Sequence, residues 1–259
     1  MQRIAAFVVV GLVWASLAAA QFIGPGGSIP VVANNPGAGG TYWRSDVSVL
    51  NLNDWDVSIV MILLPEIRDG SQTFEPRVTD PVLLPANSQR TMTNVLQTEF
   101  GLTNKKGALS VLSLDGSPLV MSSRVSTFDD EGGSYGQDVH AILVANQAWV
   151  AGVRNDSLFR TNVGVFLPVD PMPGQPAVFT VTVYEADGSV AGQGTIVFPL
   201  AGVQQKSLDA FGASNLTDGY VVFHCSDPTL AWYAYASRVD QVTGDAVYRA
   251  ARGRQSDLP

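Results

Sequence analysis

The sequence predicts an all-β fold, in which two tandem antiparallel β-sandwich domains, each with one short helix, follow an N-terminal signal peptide. Three observations lead to this prediction. A sequence unit occurs twice, short runs of alternating apolar and polar residues lie between turn signals, and the N-terminal segment is apolar. Alternation with a period of two is typical of half-buried strands, and turns roughly every 8 to 12 residues are typical of sandwiches.

The first twenty residues have the three parts of a secretory signal. Met1-Gln2-Arg3 is a short cationic start, the segment from Ile4 to Leu17 is almost entirely apolar, and Ala18-Ala19-Ala20 supplies small residues for cleavage. An uncleaved anchor helix is the alternative, but spanning a bilayer takes about 20 apolar residues and this run is shorter. We therefore expect cleavage before Gln21 and a mature protein that is secreted or periplasmic.

Two motifs recur in the same order along the chain. Trp43-Arg44-Ser45-Asp46-Val47 recurs as Phe159-Arg160-Thr161-Asn162-Val163, and Ser123-Arg124-Val125 recurs as Ser237-Arg238-Val239. The offsets are 116 and 114 residues, which is nearly constant. Matches of this kind predict an internal duplication.

The two copies also share an order of strands, turns and a short helix. An apolar strand leads to Asp69-Gly70 in the first copy and to Asp187-Gly188 in the second, and Asp-Gly favours the positive φ angles of a tight hairpin turn. The segments Thr93–Gly101 and Ser207–Gly212 each begin with a hydroxyl residue that can cap a helix and end with glycine. We expect one short helix in each segment.

The duplication sets the domain boundaries. Residues 1–20 are the predicted signal peptide, residues 21–144 the first β-sandwich repeat and residues 145–259 the second. Each repeat has about the usual length of one sandwich. Within the strand from Leu230 to Tyr235, the alternation predicts that Trp232 and Ala234 face one way and Tyr233 and Tyr235 the other.

The order of the motifs resembles that of uncharacterised exported bacterial proteins built of tandem repeated β-sandwich (Ig-like) domains. The shared pattern includes the Trp43-Arg44-Ser45-Asp46-Val47 start, a Leu-Pro strand, a short helix, Ser123-Arg124-Val125 and Gly133-Ser134-Tyr135-Gly136-Gln137. The resemblance covers nearly the whole mature chain, and it implies a fold and export rather than an activity. The second repeat departs from the pattern, because Asn162 replaces the usual Asp and the Gly-Ser-Tyr-Gly-Gln segment has no copy.

The composition argues against several classes of function. The chain has 23 acidic and 15 basic residues and a net charge of −8, so nucleic acid and anionic membrane surfaces are unsuitable partners. No segment after the signal is apolar enough to span a membrane. The one cysteine, Cys225, cannot form an internal disulfide, which favours a bacterial exported protein. We expect it to be a buried apolar residue, because its neighbour His224 points to the opposite face of the strand.

The sequence predicts no catalytic or metal site and no cofactor. It contains neither the G-x-S-x-G nor the H-E-x-x-H motif, and its two histidines, His140 and His224, are too few for a zinc site. The acidic turns around Asp54 and Asp129 do not match a calcium-binding loop.

The repeated arginines and nearby aromatic residues are the candidate binding residues: Trp43, Arg44, Arg124, Tyr135, Arg160 and Arg238. A guanidinium can bridge carboxylates or carbonyl groups within the fold, and we expect this structural role, with Asp46 as a partner of Arg44. The alternative is that the arginines contact an anion or a sugar beside the aromatic rings.

The expected function is that of an exported structural, adhesive or surface-recognition module without catalytic activity, whose partner is a protein or glycan at the cell envelope. The alternatives are a carbohydrate-binding module that uses exposed aromatic residues and, less favoured, an uncharacterised hydrolase. A row of Trp and Tyr on one sheet would favour sugar binding. A polar face with an exposed sheet edge would favour assembly.

Overall fold

The computed structural model describes residues 22–37, 40–128 and 132–253, so the predicted signal peptide and the end of the tail lie outside the described residues. The fold is all-β, as predicted, and the strands of every described sheet pair in antiparallel fashion. The strands alternate between buried and less buried residues, most regularly over Val57–Pro65. Because successive side chains of a strand point to opposite faces, the alternation of apolar and polar residues in the sequence predicted an all-β fold.

The first half, up to residue 144, forms one ten-stranded sheet that folds over on itself. Its strands are β1 (Phe22–Gly24), β2 (Gly26–Pro36), β3 (Tyr42–Asn51), β4 (Val57–Pro65), β5 (Ile67–Arg68), β6 (Ser71–Gln72), β7 (Arg77–Val78), β8 (Val82–Leu84), β9 (Gln89–Met92), β10 (Lys105–Ser113), β11 (Leu119–Phe128) and β12 (Ser134–Asp138), with β5 and β6 paired separately. The helix α1 (Val95–Thr98) lies between β9 and β10. One layer has the order β8-β4-β10-β2, and the other has the order β9-β3-β11-β12.

The second half forms two separate sheets. Its strands are β13 (Gln147–Asn155), β14 (Phe159–Leu167), β15 (Ala177–Glu185), β16 (Val190–Phe198), β17 (Gly202–Ser207), β18 (Leu216–Cys225), β19 (Tyr233–Asp240), β20 (Ala246–Ala250) and β21 (Arg252–Gly253), and a 3-10 helix covers Leu208–Phe211. The five-stranded sheet has the order β16-β15-β18-β13-β21, and the four-stranded sheet has the order β17-β14-β19-β20. Strands that occupy the same place in the chain order of the two halves therefore pair with neighbours that also occupy the same place.

Each half has its own apolar core, but the cores share residues across the two halves. The first core includes Met61 and Leu109, and the second includes Phe179 and Trp232. Val144, the last residue of the predicted first repeat, already belongs to the second core. The alternation predicted around Trp232 is confirmed: Trp232 and Ala234 lie in the second core, whereas Tyr235 packs in the first.

The predicted turns and helices are partly confirmed. Asp69 and Gly70 both have positive φ angles, of 51° and 76°, but only the glycine of the second pair, Gly188, does. Ser207 caps the 3-10 helix by accepting a hydrogen bond from Asp209 N, as its position predicted. The expected cap at Thr93 was wrong, because the Asp46 carboxylate from β3 accepts the hydrogen bond of Asn94 N at 2.8 Å, and α1 begins one residue later.

The two halves pack through the outer faces of two different layers. The first half contributes the β2-β10-β4 layer, and the second contributes the four-stranded sheet. Ala108 of the first half packs with Phe166 and Val203 of the second. The Tyr233 ring stacks on Phe166, and the Tyr235 ring stacks on Tyr248 with centres 5.3 Å apart. Apolar area buried in this way stabilises the association.

A buried carboxylate lies at this junction. Glu66 is only 8% exposed, and its two oxygen atoms lie 2.8 Å from Lys106 Nζ and 2.8 Å from Arg68 Nη2. Lys106 also donates to the side-chain oxygen of Gln205, which is in the second half. The two cations satisfy the Glu66 carboxylate, which would be costly to bury without partners. The hydrogen bond between Lys106 and Gln205 also links the first half to the second.

Candidate functional site

The aromatic and arginine residues predicted in the first half lie on two different faces of their sheet. Arg44 is paired with Ser126 of β11, whereas Tyr135 is paired with the next residue, Thr127. Because successive strand residues point to opposite faces, Arg44 and Tyr135 do not share a surface. Trp43 packs against the first core. The structure therefore does not assemble these residues into one binding patch.

Both candidate arginines of the first half, Arg44 and Arg124, are exposed. The guanidinium carbon of Arg44 lies 5.6 Å from the centre of the Tyr42 ring, and Arg124 donates a hydrogen bond of 3.1 Å to Ser134 Oγ. Asp46 was the expected partner of Arg44, but its carboxylate accepts the hydrogen bond of Asn94 N, just before α1. Contacts of this kind at the surface contribute little to stability.

Arg238 has a structural position inside the second half. It is opposite the buried Thr161 of β14, whereas Arg124, its counterpart in the repeated motif, is opposite Asp46. The second Ser-Arg-Val motif is thus shifted by one residue against its neighbouring strand, and such a shift moves a side chain to the other face. Arg238 points inwards, and its Nη1 donates to the carbonyl oxygen of Gly152 on the opposite sheet at 3.4 Å.

The Phe159 ring anchors the same end of the second half. The guanidinium carbons of Arg238 and Arg154 lie 5.3 and 4.5 Å from the centre of this ring, within the range of cation–π attraction. Arg154 also forms an ion pair with Asp156. This hydrogen bond from Arg154 is the main reason that the pKa of the Asp156 carboxyl lies below its usual range.

Arg160 differs from the other candidate arginines, Arg44, Arg124 and Arg238. It is half-buried, and none of the residues that the structure describes supplies a hydrogen-bond acceptor or a carboxylate for its guanidinium. Burial lowers the pKa of Arg160 from its ordinary value. The side chain lines an open pocket of about 290 Å³ whose other walls include Asn155, Asp156, Asn162, Asp209 and Gln241.

The outer face of the five-stranded sheet lies outside the junction between the halves. Trp149 and Ala151 of β13 alternate with the core residues Ala148 and Val150, so both point to this outer face. Tyr220 is paired with Ala151 on one side and with Tyr184 on the other.

Three aromatic residues lie on this face, and a small residue lies beside them. The rings of Tyr184 and Tyr220 stack with centres 4.8 Å apart and planes 9° from parallel. On its other side Tyr220 is paired with Ala151, whose small side chain is exposed. Trp149 lies two residues before Ala151 on the same face, so Trp149 and Tyr220 border the space above Ala151. We call Trp149, Ala151, Tyr184 and Tyr220 the aromatic groove.

Polar side chains surround the aromatic groove. Gln147, His224 and Thr180 form one row across three strands of the sheet. Thr182 accepts a hydrogen bond of 3.0 Å from Gln193 in the next row. The face thus offers aromatic rings together with hydroxyl, amide and imidazole groups.

The three aromatic residues of this groove were not among the candidate residues predicted from the sequence. Trp149, Tyr184 and Tyr220 lie on strands that are separated by tens of residues, and only the strand order brings them together. Alternation does not reveal which strands are neighbours.

The cysteine and histidine residues do not converge on a reactive site. Cys225 is buried in the second core, as predicted, and burial raises the pKa of its thiol. His224 is exposed on the opposite face, also as predicted. The other histidine, His140, packs edge-on against the Tyr248 ring and is far from Cys225 in the sequence. No group of three potential metal ligands is present among the residues of the described ranges.

No family model matches the chain, and no curated protein is significantly similar to it. Across the described part of the chain, no helix has the length and apolar character that a membrane crossing requires.

Proposed function

We propose that the protein is an exported, non-catalytic recognition module that binds a glycan chain along the aromatic groove of its second half. The observation that carries this proposal is the position of Trp149, Tyr184 and Tyr220 on one face of the five-stranded sheet. Aromatic rings have large apolar surfaces that can contact the C–H faces of sugar rings, and their polar atoms remain in water. The neighbouring Thr, Gln and His side chains can exchange hydrogen bonds with sugar hydroxyl groups.

Recognition of a protein partner, as in a structural or adhesive module, is the second candidate function. Assembly through a sheet edge is disfavoured at β16, the outermost strand of the five-stranded sheet. Two of its backbone carbonyls, on Thr195 and Val197, already accept hydrogen bonds from the side chains of Lys206 and Gln204. The 3-10 helix covers a further part of the edge, where a Cβ added at Gly192 would lie 2.2 Å from the carbonyl oxygen of Phe211. Edges protected in this way do not readily accept another strand.

We also propose that the chain consists of two domains derived from one duplicated unit, with boundaries near residues 21–144 and 145–259. Equivalent hydrogen bonds support the duplication. Ala33 N donates to Ser45 Oγ in the first half, and Arg154 N donates to Thr161 Oγ1 in the second. Ser45 and Thr161 are matched residues of the repeated motif.

The next residues of β2 and β13 show the same correspondence. Asn34 and Asn155 are both buried. Each donates from its side-chain amide to a backbone carbonyl after the short helix, that of Leu102 in the first half and that of Ala213 in the second. These buried amides have no role in the alternating pattern, so a shared origin explains them better than the general rules of sandwich packing do.

Binding of neutral oligosaccharides tests the proposed function. We expect one series among cello-, chito-, xylo- and manno-oligosaccharides to bind the purified protein in calorimetric titrations. Trp149→Ala and Tyr220→Ala should each weaken that binding about tenfold, because each removes a stacking surface. Trp55→Ala is the control, since Trp55 is 56% exposed but lies in the first half, and it should leave binding unchanged.

Two results would contradict the proposal. One is the absence of binding to any glycan series, and the other is binding that survives both groove substitutions. Capture of a protein partner through the same face, lost in Trp149→Ala, would instead support the adhesive alternative.

A further inference from the structure

We propose that the pocket around Arg160 is a second ligand site, which binds the carboxylate of an acidic sugar such as a uronic acid. The inference rests on the surroundings of Arg160 and does not depend on the aromatic groove. The guanidinium is half-buried, lines a pocket of about 290 Å³ and has no acceptor among the residues of the described structure. Its N–H groups therefore remain available to a ligand that enters the pocket.

The nearest acidic residues of the pocket do not neutralise Arg160, because other groups already occupy their oxygen atoms. Asp156 accepts from the backbone N–H groups of Leu158 and Phe159 through Oδ1 and from Arg154 through Oδ2. These hydrogen bonds hold the Asp156 carboxylate in an orientation in which it does not contact Arg160.

Asp209 is held in the same way. Its Oδ1 accepts hydrogen bonds of 2.8 and 3.1 Å from Asn155 and Ser214, and its Oδ2 accepts one of 2.9 Å from Ser207. These bonds also lower the pKa of the Asp209 carboxyl, with Ser207 as the main cause, so the group stays ionised. Arg160 is thus a cation beside two carboxylates that are fully engaged elsewhere.

This arrangement favours a carboxylate over a phosphate. The planar fork of a guanidinium matches both groups, and a paired hydrogen-bonded anion would relieve the cost of partly burying the charge. A dianion loses more hydration free energy than a monoanion on entering the pocket, and the single Arg160 guanidinium can offset only one negative charge while Asp156 and Asp209 repel both. A single carboxylate is therefore the better match to the pocket.

The remaining walls favour a sugar as the carrier of that carboxylate. The side-chain amides of Asn162 and Asn215 make no hydrogen bond to any described residue, and Gln241 and Ser214 also line the pocket. Amide and hydroxyl groups can bind several hydroxyl groups of one ligand. Since the walls are polar, an apolar acid would leave these groups without partners, at a cost in free energy.

The first half offers a matched control. Arg44 is the counterpart of Arg160 in the repeated motif, but it is exposed and lies over the Tyr42 ring. A substitution at Arg44 removes the same charge from the protein without altering the pocket. Any general electrostatic attraction of acidic ligands would respond equally to both substitutions.

Calorimetric or NMR titration of the purified protein with glucuronate, galacturonate, glucose and inorganic phosphate tests the proposal. We expect one of the two uronates to bind, and glucose and phosphate to bind at least about tenfold more weakly, because each lacks a single planar carboxylate. Arg160→Ala should reduce uronate binding by about tenfold to a hundredfold, and Arg160→Lys should restore only part of it. Arg44→Ala and Trp149→Ala should bind uronate like the parent.

Thermal unfolding of Arg160→Met provides a readout independent of any ligand. Since none of the described residues pairs with the Arg160 guanidinium, its replacement should leave the melting temperature unchanged or raise it. A lower melting temperature would assign Arg160 a structural role and overturn the proposal, as would uronate binding that is unaffected by Arg160→Ala or equal binding of glucose. Loss of neutral glycan binding in Trp149→Ala concerns the aromatic groove alone and leaves this site standing.

Discussion

Arg124 and Arg238 occupy the same place in a repeated Ser-Arg-Val motif, yet they meet different surroundings. Arg124 lies on an exposed face and bonds to one serine, whereas Arg238 reaches across the second core to the carbonyl of Gly152. The chemical nature of an arginine is the same in both places. Its contribution to stability depends on the face to which the strand register directs it.

Substitution of the two arginines should therefore have unequal effects. Arg238→Ala should lower the free energy of unfolding by about 1–3 kcal/mol, because it leaves the Gly152 carbonyl without this partner and removes the packing of the side-chain stem. Arg124→Ala should change it by less than about 0.5 kcal/mol, as is usual for exposed positions. Denaturant unfolding of both variants measures the difference. Equal losses would show that Arg124 has a structural role that its contacts do not explain.

Single residues also show where prediction from the sequence reaches its limit. The burial of Cys225 and the opposite orientations of Trp232 and Tyr235 followed from alternation alone. The partner of Asp46 could not be predicted in this way, because the backbone N–H of Asn94 is 48 residues away and no local pattern connects the two residues. The surroundings of Arg160 could likewise not be predicted from a local pattern, since its pocket is lined by groups from several strands and loops.

The edge of β16 shows how one sheet can protect the edge of a neighbouring sheet. Lys206 and Gln204 of β17 donate to carbonyl groups of β16, so side chains from the four-stranded sheet cover the edge of the other sheet. A nine-residue edge strand without such cover would be a template for pairing with another molecule.

Removal of these two donors should promote self-association. The double variant Gln204→Ala/Lys206→Ala leaves the β16 carbonyls open, and we expect dimers or larger species to appear as the protein concentration rises. Light scattering coupled to gel filtration measures this. Lys105→Ala is a suitable control, because Lys105 donates to the Thr73 carbonyl, away from this edge. A double variant that stays as monomeric as the control would contradict the protective role.

Element boundaries were predicted well where local chemistry sets them. The 3-10 helix after Ser207 has the expected position, because capping acts within a few residues. The strands β2, β9 and β17 were not predicted. Their polar or interrupted sequences become strands because neighbouring strands supply hydrogen-bond partners.

For the molecule as a whole, stability depends on the junction between the two halves. The backbone of Gly164 is covered by the Tyr235 ring, and a Cβ at this position would lie 2.3 Å from the ring carbon Cζ. Gly164→Val should therefore displace Tyr235 from the first core and lower the free energy of unfolding by about 1–3 kcal/mol.

Calorimetry should reveal the effect of Gly164→Val on cooperativity. We expect the parent protein to unfold in one transition, because residues of each half complete the core of the other. The variant should unfold in two transitions as the halves become independent. Two transitions in the parent would contradict this view of the junction.

The pH dependence of stability should include a contribution from His140. Partial burial is the main reason that the pKa of His140 lies below its ordinary value of 6.5, and the charge of Arg252 adds to the effect, while Asp138 opposes it. A lowered pKa means that the folded protein favours the neutral ring. As the pH falls below 6.5, the unfolded chain takes up the proton first, and the stability decreases.

Thermal melts at pH 7.5 and pH 5.0 can isolate this contribution, since these values lie on either side of about 6.5, where histidine titrates. His140→Gln should show a smaller loss of melting temperature on acidification than the parent. His224→Gln, at an exposed position, should behave like the parent. A parent-like loss in His140→Gln would assign the pH dependence to other groups.

The junction joins two unlike faces, the outer face of the β2-β10-β4 layer and the outer face of the four-stranded sheet, so it has a direction. In the terms used for oligomers such a contact is heterologous, because the two sides contribute different surfaces. Neither half can therefore take the place of the other at the junction, since each surface is complementary to the other and not to itself.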